Sequence, residues 1–232
     1  MILKPLKAMH KSAQSGFTIL ESLVAIIVVT ILLTAISPVL VLAVANRVQA
    51  KRVDIATSAA KSYIDGLRSG AIADHPPITS KLDIDAPGSN PTDFNCNNLD
   101  SVTPAIGYCT TPTIGEDYRL FCIDGDGNGF CADDPKDMVI QAYGFQSDAP
   151  ISALDNVLAN NALADEGYGL RIRVYRSDAF DGRELVAGEP QAAFTGGLGL
   201  KPQEAPLFET ATQIVTDQTT YEDLCNVLDG CN

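Results

Sequence analysis

The sequence predicts an α+β protein in which one long N-terminal helix, its first half apolar and its second half amphipathic, packs on a small antiparallel β-sheet head with disulfide-braced loops. Three observations carry this expectation. From Phe17 to Ala45 the chain runs 29 residues with Glu21 as its only charge. That run passes without a breaker into a stretch whose apolar residues recur every three or four positions, the period of a helix with one buried face. Further on, short apolar segments separated by turn residues read as strands, and all six cysteines lie beyond the helix. The chain divides accordingly into residues 1–16, an apolar span at 17–45, and a globular part at 46–232 that includes the second half of the helix.

The first 16 residues, MILKPLKAMHKSAQSG, contain Lys4, Lys7 and Lys11 and no acid. The positive-inside bias holds such a segment in the cytoplasm while the apolar run crosses the inner membrane, leaving the bulk of the chain on the far side. At 1.5 Å per residue a helix of this length reaches about 43 Å, more than the roughly 30 Å hydrocarbon core demands. Ala43-Val44-Ala45 has the small-x-small pattern of a signal peptidase site. A secretory apolar region, however, is usually about 7 to 15 residues and carries no carboxylate. A plain membrane anchor accounts for the length and leaves Glu21 unexplained, because an acid at mid-membrane costs on the order of 2 to 3 kcal/mol and is by default functional.

The segment GFTILESLVAIIVV, from Gly16 onward, resembles the type III signal of type IV prepilins and pseudopilins. The resemblance implies that a prepilin peptidase cuts after Gly16 and that the new N-terminal residue, Phe17, is methylated. Glu21 then becomes the fifth mature residue, one helical turn along, and the free amine of Phe17 on a neighbouring pilin-like subunit would neutralise it during filament assembly. Pro38 falls at mature position 22, where type IV pilins also carry a proline. It removes one backbone donor and crowds the carbonyl four residues back, so a kink or local melting is expected near Thr34 to Pro38.

The helix is expected from about Phe17 to Leu67. Val53, Ala56, Ala60, Ile64 and Leu67 form the buried stripe, while Arg47, Lys51, Arg52 and Lys61 stay solvated. Gly66 and Ser69-Gly70 mark its end. The Pro-rich segment from His75 to Pro91 reads as a wandering loop. Strands are expected at Asp117 to Ile123, Met138 to Phe145 and Tyr168 to Arg176, where Leu170, Ile172 and Val174 alternate with Arg171 and Arg173. A helix beginning at Ser152 separates the last two, and a final strand or two lies within Leu207 to Val215.

Removing the leader takes three of the 16 basic residues and no acid, leaving 13 Lys and Arg against 29 Asp and Glu and a formal charge of −16. Such an acidic head repels nucleic acid and anionic lipid, and it has no basic, aromatic-bearing patch for stacking on a strand. Cys96, Cys109, Cys122, Cys131, Cys225 and Cys231 all fall on the exported side, and an even set there argues for disulfides of undetermined connectivity. No CxxC pair is present and His10 and His75 lie far from any cluster, which disfavours a zinc-thiolate site. By proximity, Cys122 with Cys131 and Cys225 with Cys231 are candidate pairs.

Between Cys122 and Pro135 lies a second chemical signal. Asp124, Asp126 and Asn128 occupy positions 1, 3 and 5 of an EF-hand-like Ca2+ loop, Gly129 position 6, and the Phe130 carbonyl position 7. Position 12, normally a bidentate Glu, is Pro135, so Asp133 or Asp134 would have to complete the ligand shell. The alternative is a Gly-rich, disulfide-braced hairpin whose Asp and Asn residues simply favour turns.

The stretch AKRVDIATSAAKSYIDGLRSG and the paired-Cys acidic loop look like the cyanobacterial hormogonium polysaccharide secretion pseudopilins, in particular the B-type. That resemblance implies a minor subunit of a pilus-like or type II secretion-like machine that supports polysaccharide export and gliding motility, with the exported polysaccharide as a further partner. No GxSxG or HExxH motif is present, and the one His of the mature chain, His75, precedes Pro76-Pro77. An enzyme is therefore not expected, and a tip-located glycan- or partner-binding module or a membrane-anchored hydrolase are the alternatives.

Overall fold

The computed structural model describes residues 18–88, 96, 106–109, 117–129, 131, 134–146, 157–188, 203–216 and 218–227. Two compact units are present, residues 1–45 and 46–232. Helix α1 (Ile19–Arg68) runs for 50 residues. It is followed by β1 (Ile78–Thr79), β2 (Ile106–Tyr108), β3 (Arg119–Ile123), β4 (Met138–Phe145), α2 (Val157–Glu166), β5 (Tyr168–Arg176), β6 (Phe208–Ile214) and α3 (Tyr221–Val227). A long apolar helix with an antiparallel head is the α+β architecture of a type IV pilin-like protein.

In the first unit, every described residue of α1 is exposed. The hydroxyls in this apolar stretch fold back on the helix: Ser22 Oγ donates to the Ile19 carbonyl at 2.9 Å, Thr30 Oγ1 to Ile26 at 2.7 Å and Thr34 Oγ1 to Thr30 at 3.0 Å. A hydroxyl satisfied within its own helix leaves an apolar outer surface. The helix is continuous through Pro38, so the local melting expected at Thr34 to Pro38 does not occur. One missing donor removes one rung of the ladder, and the hydrogen bonds on either side keep the rest.

In the second unit, the buried stripe of α1 consists of Ala56, Ala59, Ala60, Tyr63 and Leu67. Val53 and Ile64, expected in this stripe, are only half-buried, and Arg52 is half-buried rather than solvated. The small alanines let the helix lie close to the sheet, and Tyr63 fills the space at the end where β2 and β3 meet it. Its ring lies 4.8 Å from that of Phe121, and its hydroxyl is 2.9 Å from that of Tyr108, which donates in turn to the Asp74 carbonyl at 2.7 Å. The last turn closes through Ser69 N–H to Asp65 O and Gly70 N–H to Leu67 O, and Arg68 Nη2 then reaches Thr212 Oγ1 at 2.9 Å.

The six strands form one sheet in the order β2-β3-β4-β5-β6, each neighbour antiparallel, with β1 added in parallel to β4. Strand β1 meets β4 at Gly144 and Phe145, beyond Ala142, the last β4 residue paired with β3. The segment expected to wander therefore contributes a strand. Seven of the eight residues of β4 are buried, so both faces of the sheet are covered. Met138, Ile140 and Ala142 join Leu170, Ile172, Val174 and the α1 stripe in one core. Val139 and Tyr175 face the other way, into a second core with Cys122, Phe180 and Leu185.

Arg173 alternates with Leu170, Ile172 and Val174 as expected, and the second face buries it. Arg173 is 1% exposed. Its Nε donates to Glu209 Oε1 at 3.1 Å, and its Nη1 donates to the Ile84 carbonyl at 2.8 Å and Gln141 Oε1 at 3.3 Å. Its Nη2 is paired with Asp83. A buried guanidinium is tolerable only when its donors are matched in this way. Burial alone would raise the Asp83 carboxyl, but the Arg173 charge and hydrogen bond hold it below the usual range.

Two outcomes follow for the head. Replacing Tyr63 with Ala should destabilise it by about 3 to 5 kcal/mol, whereas Tyr63→Phe should cost about 1 kcal/mol, because only the hydroxyl bond is lost and Tyr108 keeps Asp74. Denaturant unfolding of the two variants measures the difference. His75, half-buried with Nδ1 2.8 Å from the Tyr168 hydroxyl, is pushed below its ordinary value of 6.5 by burial, against the opposing charges of Asp165 and Asp74. A His whose folded value is depressed contributes stability that is complete above its unfolded value and is lost as pH falls below it. Between about pH 7.5 and pH 5.5 the melting temperature of the native protein should therefore fall further than that of His75→Gln. Equal slopes would show that His75 is not the titrating group.

Candidate functional site

Two parts of the chain bring chemistry together, the start of α1 and the loop between β3 and β4. At the first, Thr18 precedes the helix and its Oγ1 accepts the N–H of Glu21 at 3.2 Å, while its carbonyl accepts the same N–H at 3.1 Å. Thr18-x-x-Glu21 is thus a capping arrangement. Glu21 sits in the first turn, where the helix dipole favours negative charge and offsets part of the cost of an acid in an apolar stretch. Gly16 and Phe17 lie outside the described residues. Pro38 lies within the exposed apolar part of α1.

The second site is built on the β3–β4 hairpin. The last pair of the ladder is Ile123 with Met138, so the next residues out, Asp124 and Asp137, face one another across the mouth of the loop. A disulfide joins Cys122 to Cys131 and closes the loop from within. Ser177 pins its far side, donating its N–H to the Asp137 carbonyl at 3.0 Å and its hydroxyl to the Cys131 carbonyl. Gly125 passes so close to Lys136 that a Cβ there would stand 2.3 Å from the Lys136 carbonyl, and only glycine fits. Gly129 adopts φ 84°, the left-handed conformation that turns the loop back.

Asp124 is the hub of the loop. Its Oδ1 accepts the N–H groups of Asp126 at 3.1 Å and Gly127 at 2.6 Å, and its Oδ2 accepts that of Gly129 at 2.8 Å. Burial would raise this carboxyl, but the backbone donors overcome that and hold it below the ordinary range. Asp126 accepts the Asn128 N–H on Oδ1 at 3.2 Å and the Lys136 ammonium on Oδ2 at 3.2 Å. Asp137 is fully buried, and its Oδ1 accepts the Gly125 N–H at 2.9 Å. Burial pushes the Asp137 carboxyl up to about 6, helped by the charges of Asp134, Asp124 and Asp126 and opposed by the Gly125 hydrogen bond.

Of the residues singled out for a cation, the structure brings Asp124 and Asp126 together, with one oxygen from each within 4.8 Å of an Asp137 oxygen. Asn128 lies in the same loop. Asp134 caps the turn instead, accepting the Lys136 N–H at 2.8 Å, and is not part of that three-carboxylate group. Phe130 and Asp133 lie outside the described residues. Asp137 was the residue that the EF-hand-like spacing could not reveal, because it lies past position 12. The signal for it was its place immediately before a predicted strand, opposite an acid immediately after one. Elsewhere Cys96 is bonded to Cys109, and Cys225 is also disulfide-bonded, while Cys231 lies outside the described residues.

Residues 11–37 match the prokaryotic N-terminal methylation motif. No curated protein and no solved structure matches the chain. With the long apolar helix and the antiparallel head, the motif supports a type IV pilin-like protein, a pilin or pseudopilin subunit. It implies processing by a prepilin peptidase and assembly with other pilins. The apolar part of α1 is long enough to cross a membrane. Intact mass of the protein extracted from membranes should show a chain beginning at N-methylated Phe17; a terminus at Asn46 would establish signal peptidase cleavage instead.

Proposed function

We propose that this chain is a minor pilin-like subunit of a type IV pilus-like or type II secretion-like machine that exports polysaccharide and supports gliding motility. The observation that carries the subunit role is the methylation motif, which places Glu21 one turn beyond the Gly16-Phe17 junction. The basic leader favours a cytoplasmic N-terminus, with α1 in the inner membrane before assembly and the head outside. Support for the polysaccharide role comes from the likeness of AKRVDIATSAAKSYIDGLRSG and of the Cys122–Cys131 loop to the cyanobacterial hormogonium polysaccharide secretion pseudopilins.

The assembly step is electrostatic. Cleavage after Gly16 frees the amine of Phe17, a positive charge at the end of an apolar helix. Glu21 of a neighbouring copy or related subunit is its natural counter-charge, since each charge is costly alone in lipid and much less so when paired. The cap from Thr18 keeps Glu21 on a formed first turn, where the incoming amine can meet it. A head with more than twice as many acids as bases adds nothing that would recruit nucleic acid.

Glu21→Ala should insert into the membrane at least as well as the native chain, because it removes a charge. Its crosslinking to other pilin-like subunits in membrane fractions should fall about tenfold, the loss expected for roughly 1.4 kcal/mol of pairing energy. Undiminished crosslinking together with normal polysaccharide export would refute the pairing.

A further inference from the structure

The geometry points to a divalent-cation site at the mouth of the β3–β4 loop, formed by Asp124, Asp126 and Asp137, with Ca2+ as the ion its chemistry fits and Asp137 rather than Asp134 as the carboxylate that closes it. Acidic side chains in a turn are common without any ion, and the hydrogen bonds around Asp124 are what a braced hairpin needs for itself. Asp137 is different. It is 0% exposed, and its Oδ2 has no hydrogen-bond partner among the described residues. A buried carboxylate oxygen left bare is costly. Asp137 belongs with Asp124 and Asp126 to a group in which one carboxylate oxygen from each residue lies within 4.8 Å of the others.

The remaining acceptor capacity fits the same reading. An ionised carboxylate offers about four lone-pair positions. Asp124 receives the N–H groups of Gly129, Gly127, Asp126 and Asn128, whereas the backbone uses one position on Asp126 and one on Asp137, and these two keep free directions for a ligand bond. Oxygen donors on a loop with several glycines suit the larger and geometrically tolerant Ca2+ better than Mg2+, which demands a near-ideal octahedron and dehydrates reluctantly. Three negative charges so close also need a positive one. The nearest is the Lys136 ammonium, 3.2 Å from Asp126 Oδ2 on a side chain that is 65% exposed. Lys136 is thus a partial substitute that can swing into solvent when an ion enters. It neutralises Asp126.

An ion here would tie together elements that already meet at the loop. Asp124 follows β3, Asp137 precedes β4, and the Asp137 carbonyl receives Ser177 from the turn after β5. Binding therefore acts on the edge of the second core and is separate from the assembly chemistry of Phe17 and Glu21.

The test uses the full-length, disulfide-intact protein in detergent, stripped with chelator and titrated with calcium chloride, and with magnesium chloride for comparison, by calorimetry and thermal melting. Calcium at about millimolar concentration should bind and raise the melting temperature, with magnesium giving less than about a tenth of the affinity. Asp137→Asn, which keeps the side chain's size, should lose at least about tenfold in calcium affinity, and Asp134→Asn should change it by less than about threefold. Lys136→Ala, at an exposed position that leaves the fold intact, should bind calcium more tightly than the native protein by about threefold or more, because a competing charge is gone. No heat and no thermal shift in either the native protein or Lys136→Ala would overturn the site. Native-like binding by Asp137→Asn with loss in Asp134→Asn would overturn the role of Asp137.

Discussion

A single helix has to satisfy two environments, and most of the structure follows from that constraint. Up to Ala45, α1 is exposed and apolar on every side, its hydroxyls turned back onto its own carbonyls and its one acid held in the first turn. From Ala56 onward the same helix buries only one stripe and leaves Lys61 and Asp65 in water. The change is written in side-chain size. Branched and long apolar residues fill the first part, which suits contact with lipid or with other apolar helices, while alanines in the second part allow close approach to a sheet.

The head shows what the sheet gains from this arrangement. With one face covered by the α1 stripe, β4 and β5 can carry an apolar residue at alternate positions throughout, and the opposite face is free for a different task. That face holds Arg173, locked among Asp83, Glu209, Gln141 and a backbone carbonyl, beside a second core braced by the Cys122–Cys131 and Cys96–Cys109 disulfides. The acidic loop grows from this braced face.

Strands β4 and β5 were legible in the sequence because eight and nine residues are enough to establish a pattern, and the apolar run of α1 because nothing else in a chain reads as 29 residues with one charge. Strands β1 and β2, with two and three residues, are too short for any period; they form because β4 and β3 offer them unpaired backbone groups. Helix α3 has only seven residues, yet it opens with the same device as α1, since the Asp223 N–H donates to Thr220 Oγ1 at 3.3 Å and the Thr220 N–H to Asp223 Oδ2 at 2.9 Å. Thr-x-x-acid was the overlooked signal in both places. The burial of Arg173 was not legible because its partners Asp83 and Glu209 are 90 and 36 positions away, and no local pattern reports pairing at that range. Asp137 escaped for the same reason in miniature, being a neighbour of Asp124 only once the hairpin has closed.

If the apolar part of α1 is an assembling element that works only after the leader is removed, association with other pilin-like subunits must depend on the prepilin peptidase. The direct measurement is co-purification of this chain with such subunits from detergent-solubilised membranes of strains with and without that peptidase. The pilin-like role predicts that the partners are recovered from the first strain and lost from the second, while the amount of inserted chain is unchanged. Equal recovery from both strains would contradict it.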